Sequence, residues 1–346
     1  MKGTLHRQRG VAVVTALLLT TLAVTIVASL FWQQQVQVRS MENQRLHLQT
    51  RWILRGALDW ARLILQQEGN DSRTMTREDG VWATPLAETR LDDYLERERQ
   101  NNETYDATLS GQIYDAQARY NLANLAVATG VDPAQVAVFK RLLRNLQLDE
   151  ALATPVAQAV ARARAALPTA PPTGGGTGGT GGTGGTGGTV PAGGAGGAPG
   201  IKSNATGSGS SAPLQLLRVE DLLAVAGVTQ QAVERLREFV IVLPDDAKVN
   251  ANTARAEVLS ALFENVSVSQ AQSLVVRRKH TPWPDASAVK DDNSNAPSVA
   301  VVVRSDNFLV QSQVRLERAA LESWSLIHRD PPQGRSLTTP LWIREL

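Results

Sequence analysis

Side chains able to do covalent chemistry are few in this 346-residue chain and are spaced poorly for catalysis. Cysteine is absent, which excludes disulfides, thiolate metal sites and cysteine nucleophiles, and leaves the fold indifferent to an oxidising compartment. The four histidines (His6, His47, His280 and His328) are scattered, so no imidazole-built zinc site is expected. Serines are common, but none lies in a Gly-x-Ser-x-Gly turn or beside a His/Asp arrangement. Paired carboxylates such as Asp92-Asp93 fit a solvated face. Thr-Gly-Gly triplets from Thr177 to Gly188 lack the preceding strand and the closing Lys-Ser/Thr of a phosphate loop. The chain is therefore not expected to be an enzyme. A net charge of +2 gives no bulk electrostatic reason to expect a nucleic-acid partner.

The elements that would position any function begin at the N-terminus. From Val11 to Val38 there is no charged residue, and Val11 to Trp32 is almost wholly apolar. A helix of that apolar length rises about 33 Å, enough to cross a bilayer core of about 30 Å. Lys2, Arg7 and Arg9 before it, with Gln33 to Gln37 after it, place the N-terminus in the cytoplasm and the remainder outside. A buried core helix and a cleaved secretory signal are the competing readings. Against the signal, the apolar stretch runs on into Gln33–Arg39 as continuing helix, with no small-x-small site at its end. The junction Gln8-Arg9-Gly10-Val11, a basic leader closed by Gly before a hydrophobic helix, resembles a prepilin peptidase substrate. That resemblance implies cleavage after Gly10 and methylation of the new Val11 amine. Pilin-like chains mostly carry Glu at the fifth mature position, where this chain has Thr15. In such chains the carboxylate meets the neighbouring subunit's amine, so its absence implies a special subunit at a filament end.

Beyond the span, Ile53, Ala57, Trp60 and Ile64 recur at helical spacing, flanked by Leu54, Leu58, Ala61 and Leu65, until Gly69-Asn70-Asp71-Ser72 stops the helix. Trp82 and Pro85 mark a turn, 91–99 fits a short helix, and Gly111–Asp115 reads as a strand leading into Ala116–Leu125. Helical periodicity returns over 133–166, with Val136, Phe139, Leu142, Leu143 and Leu146 on one face and Pro155 as a break. Residues 168–213 have too little side-chain surface to bury and read as a flexible loop. Two helical hairpins follow. One runs from Leu216 through Gly227 to Val242; the other runs over 257–278 with Thr253 or Asn252 as N-cap. Both look like helix-hairpin-helix or SAM-like modules, but the turn Ala226-Gly227-Val228-Thr229 lacks a second glycine for phosphate contact, which favours packing over DNA. Val299–Val303, Phe308–Leu316 and Ala320–His328 read as strands, the last two joined around Glu317-Arg318, and 331–346 reads as a loose tail.

Together these segments resemble minor pseudopilin K of the type II secretion system (general secretion pathway protein K, the GspK family). The resemblance rests on the Arg-Gly-Val-Ala-Val start, Tyr114-Asp115 with Tyr120-Asn121-Leu122 and Asn124-Leu125, and Asn250-Ala251-Asn252-Thr253-Ala254. Ser305-Asp306-Asn307-Phe308 and Val314-Arg315-Leu316 with Ser323-Trp324-Ser325-Leu326 complete it; the Thr-Gly-Gly stretch is outside it. It implies an α+β pseudopilin fold, a long N-terminal helix on a small antiparallel sheet, interrupted by a large α-helical insertion. The domain plan is then leader 1–10, membrane helix 11–32, spine and first pseudopilin part 33–117, insertion 118–283, C-terminal strands 284–330 and tail 331–346. It further implies a single-pass inner-membrane protein with a periplasmic domain. Its expected partners are prepilin peptidase and minor pseudopilins I and J, and its expected role is at the pseudopilus tip, nucleating and capping a filament that exports folded exoproteins. Calcium is the one ion the resemblance implies, with Asp285, Asp291, Asp292 and Asp306 as candidate oxygen ligands. Two rivals make different demands: a type IV pilus minor pilin would usually keep the fifth-position Glu and a Cys-paired loop, and a DNA-uptake receptor requires salt-dependent DNA binding by 214–283.

Overall fold

The computed structural model describes residues 9–91, 107–165, 216–244, 246–330 and 336–346, with backbone only for 9–12. The leader to Gln8, Asp92-Asp93, nearly all of the helix expected over 91–99, and the Gly-rich stretch lie outside the described residues. Helix α1 (Arg9–Asp71) runs 63 residues without interruption, because no proline occurs within it and its interior holds good helix formers. Its first half is exposed from Val13 onward and is long and apolar enough to cross a membrane. Its second half turns Leu46, Leu54, Leu58, Ala61 and Leu65 into the core. The buried face is therefore the set expected to flank it. Trp60 points outward at 48% exposure, since the sheet beneath spans only one side of the helix.

That sheet is antiparallel. It is built from β1 (Leu86–Arg90) and β2 (Ala107–Asp115) and, much later in the chain, β7 (Asn307–Leu316), β8 (Ala319–Arg329) and β9 (Thr338–Glu345), in the order β1-β2-β7-β8-β9. The expected β7–β8 hairpin is present, with Glu317 in the left-handed region at φ 50°. Alternation gives the sheet two working faces. Ile113, Phe308, Val310 and Ile327 pack on α1 and Trp82, which meets Phe308 edge-on at 5.5 Å. Tyr114, Leu309, Trp324 and Leu326 pack instead on Ile241 and Leu243 of the inserted domain. The tail expected to be loose is a strand over Thr338–Glu345: β9 pairs with β8 over Ser323–Arg329, and the prolines that suggested a tail fall at its start and before it.

Between β2 and β7 lie β3 (Tyr120–Asn121), β4 (Ala126–Val127), β5 (Gly130–Val131), α2 (Pro133–Asn145), α3 (Ala153–Ala165), α4 (Gln230–Leu236), β6 (Val240–Ile241), α5 (Ala256–Leu262) and α6 (Val268–His280). Phe139, Leu142, Leu143, Leu222, Leu259 and Leu274 share one core. Pro155 does not break this helical region: it sits in the first turn of α3, where its missing N–H has no acceptor to lose, and the break falls at Leu146–Asp149. Only a 3-10 turn forms over Val219–Ala224 before Gly227 (φ 89°) redirects the chain into α4. Val299–Val303 forms no strand beyond a single bridge from Val302 to Asn250. Val301 and Val303 join the helical core, which therefore extends past the expected boundary at 283.

Candidate functional site: anchor helix and polar junction

Two features stand out as functional candidates: the membrane-length half of α1 and a buried polar junction where the insertion leaves the sheet. Gly10 and Val11 lie in the first turn of α1, and Thr15, one turn on, is exposed. Because α1 has no break, whatever holds the apolar half also orients the folded half. Leu46 packs with Ala107 and Leu316 at the end of the sheet nearer the apolar half of α1, whereas Leu65 packs with Phe308 and Ile327 at the other. The insertion begins after Asp115, which pairs with Phe308, and so leaves the sheet at the end far from that apolar half.

Asp115 is buried at that point of departure. Its Oδ1 accepts from the Gln117 amide at 2.8 Å, and its Oδ2 accepts from Thr253 Oγ1 at 2.5 Å, Ser305 Oγ at 2.5 Å and Asn250 Nδ2 at 3.2 Å. Burial raises its pKa above the ordinary carboxylate range, opposed by these hydrogen bonds from Ser305, Thr253, Gln117 and Asn250. Gln117 extends the network: its Oε1 accepts from the amides of Asp306 and Asn307, and its Nε2 donates to the Lys248 carbonyl at 2.9 Å. Asn252 locks the 250s loop to Trp283 through two hydrogen bonds of 2.9 and 3.0 Å. Asn252 and Thr253 are thus junction residues and not the expected helix caps; Arg255 occupies the N-cap of α5.

Two cations complete the junction. Arg329 is fully buried and donates to the Ser305 carbonyl at 2.7 Å and Thr76 Oγ1 at 3.0 Å, with its guanidinium 4.8 Å from the Phe308 ring. Burial, helped by repulsion from Arg304, lowers its pKa to about 10, so it stays charged at neutral pH. Arg278, buried on α6, donates to the Ala251 carbonyl at 2.7 Å and reaches Glu78 at 3.2 Å. Sequence reasoning singled out Asp115, Asn250 and Ser305 as separate short motifs. It missed Arg329, Arg278, Thr76 and Gln117, which stand among other charged or polar residues and so carry no local signal.

The four aspartates considered for calcium are not brought together. Asp285 caps a short turn through the amides of Ser287 and Ala288, and Asp291 holds Asn293 and Asn295. Asp292 pairs with Arg277 at 2.7 Å, and Asp306 pairs with Arg304. Among the described residues no three acidic or histidine side chains form a metal-sized group. With each carboxylate already engaged by another donor, these residues do not fit a calcium cage, which needs six to eight convergent oxygens.

Two family models, both described as "Type II secretion system (T2SS), protein K", match residues 118–179 and 249–310. The type II secretion system protein K of Pseudomonas aeruginosa is 28% identical over 328 residues, covering 89% of this chain and 85% of that protein. Its counterpart in Pectobacterium carotovorum subsp. carotovorum is 25% identical and covers 93% of each chain. A crystal structure of the GspK-GspI-GspJ complex from enterotoxigenic Escherichia coli shares the fold, with a TM-score of 0.63 at 18% identity over 88% of this chain and 99% of that one. A membrane-length helix continuous with an antiparallel sheet, an insertion at the sheet's far end, and matches over nearly the whole length agree: the chain is similar to type II secretion system protein K throughout.

Proposed function

We propose that the chain closes the tip of a type II secretion pseudopilus together with minor pseudopilins I and J. In that role it nucleates and caps the filament that drives folded exoproteins outward. The observation that carries this reading is the placement of the helical insertion at the end of the sheet farthest from the membrane helix. In a filament held together through its anchor helices, a subunit bearing that bulk leaves little room for another above it. Thr15 supports the same position, because a subunit without the fifth-position carboxylate cannot contact the amine of a subunit ahead. The structural neighbour is itself a complex of GspK with GspI and GspJ, which supports I and J as the partners. In this reading α1 crosses the inner membrane with its N-terminus cytoplasmic, after prepilin peptidase has cut behind Gly10 and methylated Val11.

Two measurements test the proposal. Mass spectrometry of the membrane-extracted protein should find a mature chain beginning at methylated Val11; any other start would refute the processing step. Co-expression with the I and J subunits of the same system should give, by light scattering in detergent, a complex holding one copy of each. Elution of the chain alone in the presence of both would sink the tip assignment.

A further inference from the structure

Strand β9 ends the sheet with no neighbour on its outer side among the described residues. Leu346 donates its amide to the Glu322 carbonyl at 2.9 Å, and the register sets Arg344 opposite Trp324 and Trp342 opposite Leu326. Antiparallel ladders alternate bonded with unbonded pairs. Trp342, Arg344 and Leu346 therefore bond to β8, while the N–H and C=O of Ile343 and Glu345 point away from the sheet. Natural edges are usually blunted by proline, bulges, charge or a covering segment. Here Pro340 and the irregularity between Leu326 and Ile327 blunt only the first half of the strand. The second half presents Ile343 at 53% and Leu346 at 75% exposure.

Each face of this open edge adjoins a recess with apolar lining residues. On the α1 side, Ile343 borders a groove of about 400 Å³ lined by Leu48, Trp52 and Leu54 together with the ion-paired Arg51 and Glu345. On the opposite side, Trp342 and Leu341 border a cleft of about 520 Å³ formed with Val160, Leu217 and Leu243 of the insertion. Successive side chains of an added strand point to opposite faces, so they would enter the two recesses in turn. Charge narrows the choice of occupant. Arg55 lies over Trp52 at 5.4 Å and Arg344 over Trp342 at 4.1 Å, and neither forms an ion pair among the described residues. A second copy paired β9 to β9 would bring these arginines toward their equivalents, and like charges across a strand pair are unfavourable.

We infer that the outer edge of β9 docks an extended strand from a different polypeptide, with apolar side chains at successive positions, one for each recess, and an acidic residue beside them. Backbone hydrogen bonds to Ile343 and Glu345 supply the register, the two recesses supply selectivity, and Arg55 or Arg344 receives the acid. The inference stands on the edge itself and not on which secretion subunit supplies the strand.

The test uses the full chain in detergent and a fluorescein-labelled octapeptide of threonine and valine with four successive valines, ending in glutamate, followed by fluorescence anisotropy. Binding in the range of about 10–100 μM is expected, typical of a short strand without preorganisation. Ile343→Pro removes the outward amide and leaves the β8 ladder intact, so affinity should fall at least about tenfold at an unchanged melting temperature. Ile343→Lys, which keeps the amide but places charge beside Arg55, should also weaken binding and covers the case in which the proline variant misfolds. Replacing the peptide's glutamate with lysine should weaken binding further. No binding to the wild type, or equal binding to both variants, overturns the proposal. A concentration-dependent dimer of the chain that Ile343→Pro abolishes also overturns it, by assigning the edge to a second copy.

Discussion

A carboxylate with four hydrogen-bond donors converging on it, as at Asp115, is the side chain on which the attachment of the insertion depends. Asp115→Ala would strand the hydroxyls of Thr253 and Ser305 and the Asn250 amide in a dry site. Stranding buried donors in this way is expected to destabilise the chain by about 3 kcal/mol, measured as a shift in urea midpoint at unchanged m-value. The sign of the pH effect follows from the raised pKa. The folded state holds a proton on Asp115 at pH values where the unfolded chain has already lost it, so ν_N exceeds ν_U and stability falls as pH rises above the ordinary carboxylate range. Asp115→Asn removes the titration and should flatten that decline in stability-versus-pH curves; an unchanged slope would mean other groups cause it.

At the scale of elements, the end of α1 and the strand β9 are held by one close approach. A Cβ placed on Gly69 would stand 2.6 Å from Ser336 Oγ and 2.9 Å from Arg329 Cδ. Gly69 is therefore required by proximity, since the chain between β8 and β9 and the buried stem of Arg329 both press on the helix there. Gly69→Ala should cost about 1–3 kcal/mol through overpacking, visible as a lower melting temperature, whereas alanine at Gly56, which has open space around it, should not destabilise. The contrast between the two glycines of one helix separates a packing effect from helix propensity.

For the whole molecule, α1 and the junction make the folded head and the membrane-length apolar segment one lever. The helix carries the sheet, and the Asp115 network fixes the insertion to the sheet's distal end. The helical hairpins contribute packing to this design. In the turn that a DNA-binding version would use, Thr229 Oγ1 caps α4 by accepting from the Ala232 amide at 3.2 Å, and Arg237 is paired with Glu220 at 2.8 Å. The full chain should therefore give no gel shift with duplex DNA at about 50 mM salt, where phosphate-binding modules bind strongly. A shift that weakens steeply with added salt would restore the DNA-receptor reading.

The membrane-length helix, the β7–β8 hairpin and α2 were legible in the sequence, because each depends on local periodicity, a turn or a cap within a few residues. Asp132 before Pro133 and an uncharged run from Val11 are signals that need no distant partner. The strand character of Thr338–Glu345 was hidden, because its prolines mimic a tail and its pairing with β8 exists only once the sheet has formed. Nor could local pattern reveal that Asp115, Asn250, Ser305 and Arg329 meet, since they are separated by long stretches of chain and each is ordinary where it stands. Composition and periodicity by themselves determined a membrane-length apolar helix, a helical middle and a strand hairpin near the end. Only tertiary packing decided which buried polar groups pair, which face of α1 is covered and which strand edge stays open, because burial and hydrogen-bond satisfaction are set by residues remote in sequence.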